Sequence, residues 1–168
     1  ASVISIRAAT WGDFLAAQVG ASAALAGLLF VGVSINLEKI LSANSLTLRA
    51  LLALIVLVVI LILSSFLLFP GQSRLAVGIE IVAIGAATVA IGNLIELRIW
   101  RDRGDAQTTL TLAVNLLLFE AASFPYVIGG ILVLADDPSG MTWVGIAIMF
   151  SFVKAVVDAW VLLVEINR

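Results

Sequence analysis

The chain has 168 residues, 62% of them hydrophobic and 12% charged, with a mean hydropathy of +1.21, where an ordinary soluble domain carries about 25% charged residues. Nine basic and eleven acidic residues leave a formal charge of -2, spread singly or in short loops, which gives no electrostatic footprint for nucleic acid. The lack of cysteine and histidine excludes disulfides, thiol nucleophiles, most zinc sites and histidine-ligated haem, so neither a metal nor a cofactor is expected.

A bilayer requires about 20 apolar residues per helical span, and five such runs follow one another here. The expectation is an all-α integral membrane protein, a five-helix transmembrane bundle forming one domain over residues 1–168 in the cell membrane. Residues 1–12 carry only Arg7 as a charge and place Trp11 at the membrane surface. The apolar run from Phe14 to Leu37 exceeds the roughly 7 to 15 residues of a secretory signal core, so it reads as a span and not a leader.

Span one covers 13–37. Its small residues Ala16, Gly20, Ala24 and Gly27 recur every three or four positions, the pattern of a close helix-packing face in lipid. The link over 38–48, with Lys39, Ser42, Asn44, Ser45 and Thr47, reads as a polar hinge, and span two follows over 49–69. From Ala50 to Leu63 span two is aliphatic on all sides, which suggests a lipid-facing position, and Pro70-Gly71 stops it.

Span three covers 75–100. Gly78, Gly85 and Gly92 repeat every seven residues on one face that Glu96 extends, which predicts a tight helix crossing. Glu80 lies near the outer end, within reach of water or Arg74. A charged loop over 98–107 leads to span four, 108–135, which holds Asn115, Glu120 and Ser123 and a kink expected at Pro125. The turn Asp136-Asp137-Pro138-Ser139-Gly140 precedes span five over 141–166. There Ser151, Lys154, Asp158 and Glu165 fall on one helical seam.

An intramembrane charge costs roughly 2.5 to 3.5 kcal/mol even on lenient scales, so it seeks an opposite charge, water or protein. Lys154 has Asp158 one turn on. Spans four and five form a hairpin that sets Glu120 level with Lys154 and Asn115 level with Asp158. On an ideal helix Asn115 and Glu120 are about 140° apart, so both cannot face span five unless Pro125 rewinds the path. If Lys154 pairs with Asp158, Glu120 is the surplus acid; if it pairs with Glu120, Asp158 is. Such an acid, with Asn115 and Ser151 nearby, is the pattern of a proton or cation route. Asn36, Asn93 and Glu96 form a second expected polar layer, since parallel spans one and three bring them to similar depth.

The functional expectation is a homo-oligomeric channel or carrier for protons or monovalent cations. The alternative is a non-catalytic accessory subunit of a larger membrane complex, and catalysis is disfavoured because no carboxylate pair or metal cluster sits at a water interface. Lys39, Arg49, Arg98, Arg101, Arg103 and Arg168 lie on one side, against Arg7 and Arg74 on the other, so the amino terminus is expected outside and the carboxyl terminus in the cytosol. Reporters fused at Ser139 and after Arg168 are expected on opposite sides of the membrane; surface labelling of both in intact cells would contradict five spans.

Overall fold

The computed structural model describes residues 10–42, 44–101 and 109–166, and these are helical without a strand. The elements are α1 (Trp11–Ile35), α2 (Leu37–Ser42), α3 (Asn44–Leu67), α4 (Arg74–Arg101), α5 (Thr109–Leu134) and α6 (Gly140–Ile166). Among the described residues five helices, all but α2, are long and apolar enough to cross a membrane. The chain is a multi-pass membrane protein. Much of the charged loop after Arg101 and the side chain of Glu165 lie outside the described residues.

A capping box opens α1: the Thr10 hydroxyl accepts from the Asp13 N–H at 3.2 Å, while Asp13 accepts from the Thr10 N–H at 3.1 Å. Where a polar hinge was expected, α2 fills the link, and the Thr47 hydroxyl donates to the Ile40 carbonyl at 2.8 Å. As a result α3 begins at Asn44, not at Arg49. Arg49 is thereby drawn more than one turn inside the helix and is buried.

Helices α3, α4, α5 and α6 form a ring in which each packs on the next, and α1 lies outside it against α3. The expected lipid-facing position holds for one side of α3 only: Leu51, Val58, Ile62 and Phe66 are exposed, while Leu52, Ala53, Val56, Leu57, Ile60 and Leu63 are buried in the ring. Apolar residues suit a core-facing and a lipid-facing side alike, so composition did not say which residues turn inward. The small-residue face of α1 is turned away from the ring: a Cβ added to Gly20 or Gly27 would meet nothing within 4 Å, so this face packs on no neighbour among the described residues.

The glycines of α4 do the reverse. A Cβ at Gly78 would reach Leu134, one at Gly85 would come 2.9 Å from the Tyr126 Cβ, and one at Gly92 would overlap the Phe119 ring. Gly130 of α5 returns the fit against Val82, and Gly129 lets α6 approach at Val144. The hairpin between α5 and α6 turns at Asp136, in the left-handed region at φ 64, and at Asp137, which accepts from the Ser139 N–H at 2.8 Å and hydroxyl at 2.7 Å. Those two bonds hold the Asp137 carboxyl below its ordinary pKa. Arg74 pairs with Asp136 across this end, leaving Glu80 to accept from Gln72 Nε2 at 3.1 and 3.0 Å.

Gly85→Leu is expected to lower thermal stability in detergent, because Tyr126 Cβ and the Val127 backbone cannot move aside; overpacking costs about 1–3 kcal/mol or more. Gly20→Leu is expected to leave the melting temperature of the monomer nearly unchanged.

Candidate functional site

Inside the ring, toward the end where α4 and α6 finish, four helices place their polar side chains in one cluster. At about 1.5 Å per residue, Arg49 of α3, Glu96 of α4, Asn115 of α5 and Asp158 of α6 all lie roughly 7 to 12 Å inside that end. Lys154 enters from one turn deeper and reaches back to them, as a long amine-tipped side chain does. Each helix has a local reason to bring its residue here. Arg49 heads the buried face of α3, Glu96 continues the glycine stripe, and Lys154 and Asp158 share the inner face of α6.

The ammonium of Lys154, at 0% exposure, donates to both carboxylate oxygens of Asp158 at 2.7 Å and to Asn115 Oδ1 at 2.9 Å. Asn115 then donates through Nδ2 to Glu96 Oε1 at 2.6 Å. Glu96 lies 3.6 Å from the ammonium, an ion pair without a hydrogen bond. The amide therefore bridges the cation of α6 and the carboxylate of α4, with its oxygen toward the donor and its nitrogen toward the acceptor. Arg49 is 5% exposed and near enough to interact electrostatically with both Glu96 and Asp158. Counted as formal charges, two cations stand with two carboxylates at this level, Lys154 in direct ion pairs and Arg49 buried nearby without one among the described residues.

The expected members separate into two groups. Lys154, Asp158, Asn115 and Glu96 come together, and Ser151 sits one turn deeper, 3.2 Å from the Tyr126 hydroxyl and 3.3 Å from the Ala122 carbonyl that its own hydroxyl donates to. Glu120 is not among them: it is half-buried on the outward side of α5, and the ion pairs of Lys154 are with Glu96 and Asp158. Its depth matches that of Lys154 but its azimuth does not, and Asn115, about 140° away, takes the inward position. The layer proposed from Asn36, Asn93 and Glu96 does not form. Asn36 donates to the Gly32 carbonyl in its own helix at 3.0 Å, and Asn93 is half-buried beside the α5 packing face.

Sequence reasoning missed Arg49 and Tyr126. The signal for Arg49 was the run Asn44-Ser45 upstream, which can start a helix early enough to bury the arginine. Tyr126 gave a weaker one, as the chain's single tyrosine in an apolar stretch, where a buried hydroxyl requires a partner.

Lys154→Met is expected to destabilise the protein strongly, by about 3–5 kcal/mol, since it strands two carboxylates with one cation. Asp158→Asn added to it restores neutrality and is expected to recover part of the loss. Glu120→Gln added to it is expected to combine additively, because the two residues share no contact; a double-mutant cycle on urea or thermal unfolding measures both couplings. Compared with protein-family models, with curated proteins and with solved structures, the chain matches none of them, so its functional reading comes from this geometry alone.

Proposed function

We propose that the chain is a non-catalytic subunit of a larger membrane assembly, a bundle locked from within that joins its partners through its outer faces. In this reading it sits in the cell membrane with its amino terminus outside and its carboxyl terminus in the cytosol. The observation that carries the reading is the neutrality of the interior cluster. Arg49 and Lys154 offset Glu96 and Asp158, so the interior holds no surplus acid of the kind that a proton route exchanges. Such a cluster specifies how four helices meet, a role attested for buried polar groups that fix register.

The outward glycines of α1 support an assembly role. Gly20 and Gly27 have open space where a side chain would stand, and small residues on a membrane helix allow another helix to approach closely. Between α1, α3 and α6 runs an apolar groove of about 260 Å³, lined by Leu29, Leu57 and Leu162 among others.

One observation favours a second reading, proton or monovalent-cation transfer by an oligomer of this chain. From the Lys154 cluster, polar side chains continue inward through Ser151 to Tyr126. The file then meets Ile60, Leu63, Ile81 and Val144, all fully buried and apolar, so conduction would require that plug to open.

Reconstitution separates the two. Proteoliposomes under a pH or potassium gradient are expected to leak no faster than empty vesicles, for the wild type and for Lys154→Met alike. Protein solubilised from its native membrane in mild detergent is expected in a complex larger than the purified chain forms, lost in Gly20→Leu. Flux above that of empty vesicles, abolished by Glu96→Gln, would replace the subunit reading by the conduit.

A further inference from the structure

Glu120 presents a problem that the interior cluster does not solve. It lies about 16 Å along α5 from Thr109, near the middle of a helix about 39 Å long. Among the described residues its carboxyl has no hydrogen bond or ion pair. Leu117 and Phe124, each within a turn of it, are 68% and 53% exposed, so this part of α5 faces out of the bundle. Lipid offers a carboxyl no hydrogen-bond donor, and burial of an unpaired polar group there costs several kcal/mol.

The neighbouring helix carries a donor at the same level. Gly92 of α4 packs on Phe119 of α5, and Asn93 and Glu120 are the next residues of each. Val127 packs against Gly85 beside them, and one heptad further along the same two helices the groove passes Gly92 and Glu120. Asn93 and Glu120 are both half-buried, and no hydrogen bond joins them among the described residues. Outside Asn93, the exposed Ala86 and Ala90 keep the surface of α4 low enough for another helix to come near.

We infer that a second copy of this chain packs on the outer groove between α4 and α5, with Asn93 of each copy donating to Glu120 of the other. Closed dimers are two-fold symmetric, and an axis along the membrane normal preserves depth. At its own depth, Glu120 can therefore meet only what this same surface offers, and Asn93 is the complementary group there. The two bonds form together, each copy supplying one donor and one acceptor. This inference concerns a face remote from α1 and does not rest on the subunit reading.

The absence of cysteine from the chain makes single-cysteine variants clean probes. In membranes oxidised with copper phenanthroline, Leu117→Cys or Phe124→Cys is expected to give a disulfide-linked dimer, while Phe30→Cys on α1 is not. Glu120→Leu, which removes the bond from both copies, is expected to weaken dimerisation in detergent about ten- to a thousandfold, the worth of two intramembrane hydrogen bonds, and Glu120→Gln to retain it. Thermal stability of the monomer is expected to hold in Glu120→Leu, since the carboxyl bonds nothing among the described residues. Cross-linking at Phe30→Cys alone, monomers at every position, or dimerisation indifferent to Glu120→Leu would each overturn the inference.

Discussion

Everything else in this bundle is arranged around one ammonium that has no access to water. Lys154 is fully buried, and an uncompensated cation there would cost more than the fold could recover. Its neighbour Asp158 supplies the charge, but a lysine has three donors and a carboxylate of α6 alone leaves the arrangement free to face in several directions. Asn115 and Glu96 remove that freedom by binding the ammonium to α5 and α4. Arg49 then completes the balance from α3. The four ring helices thus meet in one orientation for an electrostatic reason, in a medium where apolar surface distinguishes poorly between a helix and a lipid.

The cluster depends in turn on how closely α4 and α5 approach. Asn115 has a short side chain, and its 2.6 Å bond to Glu96 requires the two backbones to be near each other at that level. The glycine stripe makes this possible. Phe119 occupies the space that a side chain at Gly92 would fill, one turn from Glu96, and Tyr126 does the same at Gly85. A Leu at either position would push apart the very helices that the amide bridges. Steric and electrostatic constraints on this hairpin are therefore parts of one device, with glycines setting the distance and polar groups setting the register.

The ends of the bundle are treated differently. Toward the turn between α5 and α6 the interior is apolar apart from the buried Ser64, and the ties are peripheral, through Arg74 with Asp136 and Gln72 with Glu80. Toward the other end the interior itself is polar. That asymmetry leaves Ser151 and Tyr126 as the deepest polar members of the file. Glu120, at similar depth but on the outside, belongs to the surface of the bundle.

By itself the sequence determined the number of spans, the glycine face of α4 with Glu96 at its end, the hairpin at Asp137-Pro138 and the Lys154 to Asp158 pair. These follow from helical periodicity, turn chemistry and the cost of charge in lipid, all local properties of the chain. It also placed Glu120 and Asn115 at the right depths, because an antiparallel hairpin fixes depth by counting. Azimuth is another matter. Which of two residues 140° apart faces α6, and which side of an all-aliphatic helix is buried, depends on the rotation of each helix against several neighbours at once. Only the tertiary structure decided that Asn115 turns inward and Glu120 outward, that the Leu52 to Leu63 side of α3 is the buried one, and that Arg49 is carried into the interior beside the acids. A hydrophobic pattern that is nearly uniform around the helix carries no record of that rotation.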